Sequence, residues 1–383
     1  MKKIIAISIT ILLSATLCAC GHLRSSSSTA GTDSNQNTSV GWGSNKTGAT
    51  SEAVSTTAPQ PTIIPTAASQ TTLVPYSTED FSMQIPSGWT VTTGGTGMIH
   101  SIRVYDPEQP VNQIFILIKA MPLMHSESGR SYYQQSYDAY GGNYYIMADA
   151  PVLSNPSTQG FFEIFSSYAD YAEKDEPTYA GYEFPRFNDF NTLESFETNN
   201  TLGDASYAPA MLHATFTDTN GTAGEGMFTA DIVDFTGNTA VMGDIDAGFY
   251  MAYTVMAVTA VENEFVEWED LLCQCINSIE YTDNFVNNVI AQSNEMVVTS
   301  QKLSQSFNEI ADGIMDSWNQ RNASEDILRQ KQSDAILGYE RVYNTDNGEI
   351  YKAYNGFTDD FSYTNIEPIS DDMYTQPIDG YIE

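Results

Sequence analysis

A chain of 383 residues with 41% hydrophobic content can build one large core or two ordinary ones. Its formal net charge is −34, from 49 acidic against 15 basic residues, and no Lys or Arg occurs between Phe187 and Gln301. Nothing here can displace counterions from a phosphate backbone or settle on an anionic bilayer, so nucleic acid and acidic lipid surfaces are excluded as partners.

At the amino terminus Lys2 and Lys3 precede an apolar run from Ile4 to Leu17, about 14 residues long. That length suits the core of an export signal and falls short of the ~20 residues that span a bilayer. The run ends in Leu17-Cys18-Ala19-Cys20-Gly21, which resembles the signal peptides of bacterial lipoproteins. The resemblance implies a signal peptide over residues 1–19, cleavage before Cys20 and transfer of diacylglycerol to its thiol, with palmitate among the acyl groups. Lipidation at Cys18 would put Leu17 at the position that Ala19 fills better for Cys20. Two acyl chains, at about 0.8 kcal/mol per buried methylene, hold a protein stably where one chain is marginal. The expected place is the extracytoplasmic face of the cell membrane, and losing Lys2 and Lys3 takes the net charge to −36.

From residue 20 to about Pro75 the sequence is Ser, Thr, Gly, Ala, Pro and Asn with few large apolar residues. It buries too little to offset chain entropy and is expected to be a disordered tether reaching on the order of 40 Å.

An α+β domain is expected over residues 76–283. Phe81-Ser-Met83-Gln-Ile85 alternates apolar with polar, Pro86-Ser-Gly88 marks a turn, and Thr90-Val91-Thr92 continues as a strand. Strands are also expected at Ser101–Tyr105 and Gln113–Lys119, the second apolar enough for a sheet centre. The Phe81–Val91 stretch resembles the opening hairpin of the PsbP and Mog1-like α/β/α sandwich domains. This implies an antiparallel sheet packed with helices, and binding rather than catalysis.

Six tyrosines crowd the next stretch, Tyr132, Tyr133, Tyr137, Tyr140, Tyr144 and Tyr145, around Gly141-Gly142. They are read as core aromatics of a helix followed by a strand, in preference to a platform for sugar rings. Pro156 to Tyr171 reads as a helix capped near Asn155 or Ser157, and Phe184–Phe196 as loop or strand. Met211–Phe216 and Gly226–Phe235 flank the turn Asp218-Thr-Asn220-Gly221 and predict a meander, with Gly248–Thr259 as a central buried strand. A helix over Glu262–Ile279 carries Cys273 and Cys275, which point to different sides and suit neither a mutual disulfide nor a shared metal. Ser278–Thr282 closes the domain.

Residues 284–333 repeat apolar positions at three- and four-residue steps. They predict one or two amphipathic helices that pack back on the domain, with a coiled coil as the alternative. In residues 334–383, Ile336–Tyr343 and Glu349–Tyr354 flank Asn347-Gly348, a strong hairpin signal. The segment Ser333–Phe357 resembles a C-terminal module of clostridial lipoproteins, and an acidic surface tail is expected from Asp359 onward.

No catalytic constellation emerges. His100, His125 and His213 lack metal-ligand spacing, and no nucleophile elbow, phosphate loop or dinucleotide fingerprint is present. Asp218, Asn220 and Asp231, or Asn344, Asp346 and Asn347, could lend oxygens to calcium, but ordinary turn chemistry explains them. No cofactor, metal or catalytic residue is assigned, and the one site residue is Cys20. The expectation is a non-enzymic binding or scaffolding module at the cell envelope, partnered by membrane lipid through Cys20 and by an envelope protein or glycan. The alternative is a carboxylate-dependent hydrolase of cell-wall or extracellular polymer.

Overall fold

The computed structural model describes residues 62–198, 206–235, 245–292, 300–320, 325–360 and 363–382. These belong to one compact unit, Ala58–Glu383, so the signal peptide and Cys20 lie outside the described residues. The fold is α+β, with packed helices and sheets that are antiparallel except for one parallel pair, the strands Ile350–Tyr354 and Gly380–Ile382.

Regular structure begins earlier than composition suggests, and part of the expected tether is folded. Strand β1 (Ile63–Pro65), the short helix α1 (Ala67–Gln70) and β2 (Leu73–Ser77) all precede or overlap residue 75. The Thr residues that read as linker make caps and anchors. Thr66 Oγ1 accepts the Ser69 N–H at 3.1 Å and donates to the Ile378 carbonyl at 3.2 Å, while Ala68 enters the core.

β3 (Phe81–Pro86) buries Phe81, Met83 and Ile85, as its alternation predicts. It does not pair with β4 (Thr90–Gly94), so the expected hairpin is absent. β3 joins β2, whereas β4 pairs with β5 (Ser101–Tyr105) in a different sheet. The chain crosses between them at Gly88, where φ is +88°, and Trp89 meets Trp268 at a tilt with ring centroids 5.4 Å apart.

β6 (Gln113–Lys119) is buried along its whole length. After β7 (Leu123–Met124) come four helices, α2 (Glu127–Tyr140), α3 (Tyr144–Asp149), α4 (Thr158–Glu163) and α5 (Phe165–Asp175). The single helix expected over Pro156–Tyr171 is thus two, broken at Ile164, and Ser157 caps the first by accepting the Gly160 N–H at 3.0 Å. β8 (Asn188–Glu197), β9 (Ser206–Tyr207), β10 (Ala210–Thr217), β11 (Ala223–Asp234) and β12 (Phe249–Val261) follow. The large sheet runs β4-β5-β6-β12-β11-β10-β8, antiparallel throughout, with β7 added to β12 and β9 to β11. The two most apolar segments, β6 and β12, lie side by side at its centre.

Strand alternation divides the residues of this sheet between two cores. Ile114, Ile116, Met227, Met256 and Val258 enter an aliphatic core with α6 (Phe265–Asn277). Phe115, Leu117, Phe228, Val255 and Ala257 enter an aromatic core with α4 and α5. Cys273 and Cys275 are both buried free thiols, and burial pushes Cys275 up to about 12. β13 (Glu280–Tyr281) pairs with β3, and then come α7 (Asp283–Gln292), α8 (Ser300–Gln320) and α9 (Glu325–Leu337). α8 packs back on the domain as expected, burying Ala311 and Ile314 in the aliphatic core.

The carboxy-terminal hairpin forms from β14 (Tyr339–Asn344) and β15 (Ile350–Tyr354), while Ile336, expected in its first strand, belongs to α9. Nor is the region after Asp359 a surface tail. β16 (Ile366–Pro368) and β17 (Gly380–Ile382) extend the sheet to β1-β17-β15-β14-β16, and Ile366, Ile378 and Ile382 are buried. A buried charge chain ties this sheet to its neighbours. Lys352 lies 3.2 Å from Glu267 of α6, and Arg341 lies 2.6 Å from Asp334 of α9, all four side chains being at most 4% exposed. Burial raises the Glu267 carboxyl, and Lys352 partly offsets this. A charge left alone here would be strongly destabilising, so the module and the domain stay together.

Candidate functional site

The α2–α3 hairpin carries the tyrosine cluster, and its aromatic rings face outward. None of the six is buried: Tyr137, Tyr140 and Tyr144 are 41%, 82% and 44% exposed, and the others are half-buried. This overturns the reading as core aromatics of a helix and strand. Two helices meet at Gly141-Gly142, both with positive φ; ring contacts join five of the six tyrosines, and half-buried Tyr133 also packs on the aromatic core. Tyr132 meets Tyr133 edge-on at 5.5 Å, Tyr133 faces Tyr144 at 6.4 Å, and Tyr137 meets Tyr145 at 6.2 Å. Burial together with the neighbouring Tyr132 and Tyr144 raises the Tyr133 phenol. The hydroxyls of Tyr137, Tyr140 and Tyr144 have no hydrogen-bond partner among the described residues.

What holds this hairpin in place is a polar node at its root. Ser126 caps α2 by accepting the Gly129 N–H at 3.0 Å, and it donates to the Asp246 carbonyl at 2.9 Å. His125 stands between two aspartates: its Nδ1 is 3.2 Å from Asp246 Oδ1, and its Nε2 is 3.3 Å from Asp234 Oδ1. The imidazole lies tilted against Tyr250 with centroids 4.0 Å apart, and Tyr207 donates to the second oxygen of Asp234 at 3.2 Å. Tyr133 reaches the Ala247 carbonyl at 3.4 Å. Two glycines make this closeness possible. A Cβ on Gly129 would lie 2.2 Å from the Asp246 carbonyl oxygen, and one on Gly248 would lie 2.6 Å from His125 Nδ1. The node is a positioning device: it fixes the start of α2 against the ends of β11 and β12, so the aromatic face is presented on a rigid frame.

No protein-family model matches the chain, and no curated protein matches it either. The site therefore rests on its own geometry.

The other sequence candidates fall elsewhere. Asp218 accepts the N–H groups of Asn220 and Thr222 at 2.8 and 2.7 Å, and Asp231 lies within β11 facing Ser206 at 3.3 Å. Asn344 and Asn347 accept the N–H groups of Asp346 and Glu349, each at 3.0 Å. Asp218 and the two asparagines show the turn chemistry expected of them, whereas Asp231 is a strand residue away from the turn. His213 is fully buried 2.7 Å from Glu225, and His100 is buried against Phe81 and Phe285. Sequence reasoning missed the His125 node because its members stand more than a hundred residues apart and meet only through strand register.

Proposed function

We propose that this protein is a lipoprotein anchored through Cys20 on the extracytoplasmic face of a bacterial membrane, and that it binds an envelope glycan through the tyrosine face of α2 and α3. The observation that carries the reading is the exposure of Tyr137, Tyr140 and Tyr144 on one helical hairpin. A sugar ring offers an apolar C–H face that packs on a phenol ring, while its hydroxyls can bond to tyrosine hydroxyls left without partners. Tyrosine supplies such area with little conformational entropy to lose, and a patch of this kind on an otherwise charged surface marks a contact site. A net charge of −34 disfavours polyanions as the ligand and is compatible with a neutral polymer.

The module is read as non-enzymic and as a PsbP and Mog1-like sandwich, in keeping with an antiparallel sheet covered by helices on both faces. At the root of the face the two carboxylates Asp234 and Asp246 flank the His125 imidazole.

Two experiments test the reading. Full-length protein in detergent should co-sediment with insoluble cell-wall polymer, and the triple variant Tyr137→Ala, Tyr140→Ala, Tyr144→Ala should lose at least tenfold in retention with its melting temperature unchanged. Equal retention by the triple variant overturns the glycan assignment. Incorporation of labelled palmitate should vanish in Cys20→Ala, and label persisting there overturns the anchor.

A further inference from the structure

A cavity of about 290 Å³ opens where the large sheet, the turn between β12 and α6, and helix α9 meet. Two of its lining side chains carry opposite charges, stand exposed at its mouth and pair with no other side chain among the described residues. Arg329 of α9 has no hydrogen-bond or ion-pair partner among the described residues, in a chain with 49 acids. The Glu262 carboxylate likewise has none, and burial followed by the charge of Glu225 raises its pKa. Glu225 is already engaged, with one oxygen 2.7 Å from His213 Nε2 and the other accepting the Asn263 N–H at 2.8 Å. Arg329 and Glu262 thus share one cavity yet stand beyond ion-pair distance of each other. Leu193, Phe265 and Val266 supply an apolar wall between polar groups.

We propose that this cavity binds a small zwitterion, a free α-amino acid or a dipeptide, with its carboxylate on Arg329 and its ammonium on Glu262. The volume lies just below the usual range for small-molecule pockets, which suits a ligand of this size. Charge selects the same class. A bare anion meets repulsion from the acidic surface and leaves Glu262 unpaired, a bare cation leaves Arg329 unpaired, whereas a zwitterion meets both side chains. The inference is independent of the tyrosine face, because no residue is shared between the two.

Calorimetric titration of the full-length protein in detergent tests it, with alanine, alanyl-alanine, N-acetylalanine and alaninamide as probes. Alanine or alanyl-alanine should bind saturably, and the tighter of the two assigns the source as free amino acid or dipeptide. N-acetylalanine and alaninamide, each lacking one charge, should bind at least tenfold more weakly. Arg329→Gln and Glu262→Gln should each weaken the zwitterion at least tenfold while leaving the ligand-free melting temperature unchanged, since both side chains are exposed. No saturable binding by 10 mM of either zwitterion, equal binding of N-acetylalanine, or unchanged affinity in both variants overturns the proposal.

Discussion

Two groups of tyrosines in this molecule meet opposite fates. Tyr168, Tyr171, Tyr179 and Tyr182 are buried around α5 with every hydroxyl engaged. Tyr168 accepts the Met121 N–H at 3.3 Å, Tyr171 donates to the Ile146 carbonyl at 2.8 Å, Tyr179 donates to the Ile99 carbonyl, and Tyr182 bonds Ser101 at 2.7 Å. A few turns away Tyr137, Tyr140 and Tyr144 leave their rings in solvent. A buried phenol must find a partner for its oxygen, and its area then serves the fold; an exposed row leaves both area and hydroxyls available to a ligand. The difference separates aromatic area spent on the fold from aromatic area left in solvent.

The comparison breaks most sharply if Tyr168→Ala proves mild. Truncating a fully buried aromatic should lower unfolding free energy by about 3–5 kcal/mol, read from urea denaturation. Next in size is an acid effect in the other core. Burial holds His100 down at about 4, so the unfolded chain takes up a proton near pH 6.5 while the folded one does not until about pH 4. Stability should therefore fall as pH drops through that window, and His100 should account for roughly 3 kcal/mol of the loss. His100→Phe, set between Phe81 and Phe285, should flatten this part of the pH profile relative to wild type. Tyr182→Phe removes one hydrogen bond while Ser101 keeps its bond to the Ile116 carbonyl at 3.1 Å, so the loss should be about 1 kcal/mol. Smallest of all, Tyr140→Ala should change stability by less than about 0.5 kcal/mol and yet weaken retention on wall polymer.

Much of the fold is legible in the sequence where one signal dominates. The continuous apolar runs of β6 and β12 place them at the sheet centre, and Asn347-Gly348 sets the carboxy-terminal hairpin. Legibility fails where a local pattern has two tertiary solutions. Pro86-Ser-Gly88 turns the chain equally well into a hairpin or from one sheet to another, and contact between Trp89 and Trp268 decides. Ile63 and Ile64 are too few among Thr and Pro to announce a strand, and they pair only because β17 arrives from more than three hundred residues away. The tyrosine stretch misleads because aromatic content reads as core. Gln134, Gln135 and Asp138 interleaved among the rings were the signal that this surface stays wet.

The pairing of β1 with β17 also determines how the molecule responds to force. In a chain held by its amino-terminal side, tension arrives first at a three-residue edge pair, Ile63–Pro65 against Gly380–Ile382. Just beyond it Thr66 is locked to Ile378 and Asp379. A pull would unzip β1 as a fuse, releasing about 10 Å of slack before either core bears load. A single-molecule extension trace pulled from the amino-terminal side should record that short step ahead of global unfolding, with the aromatic face keeping its shape.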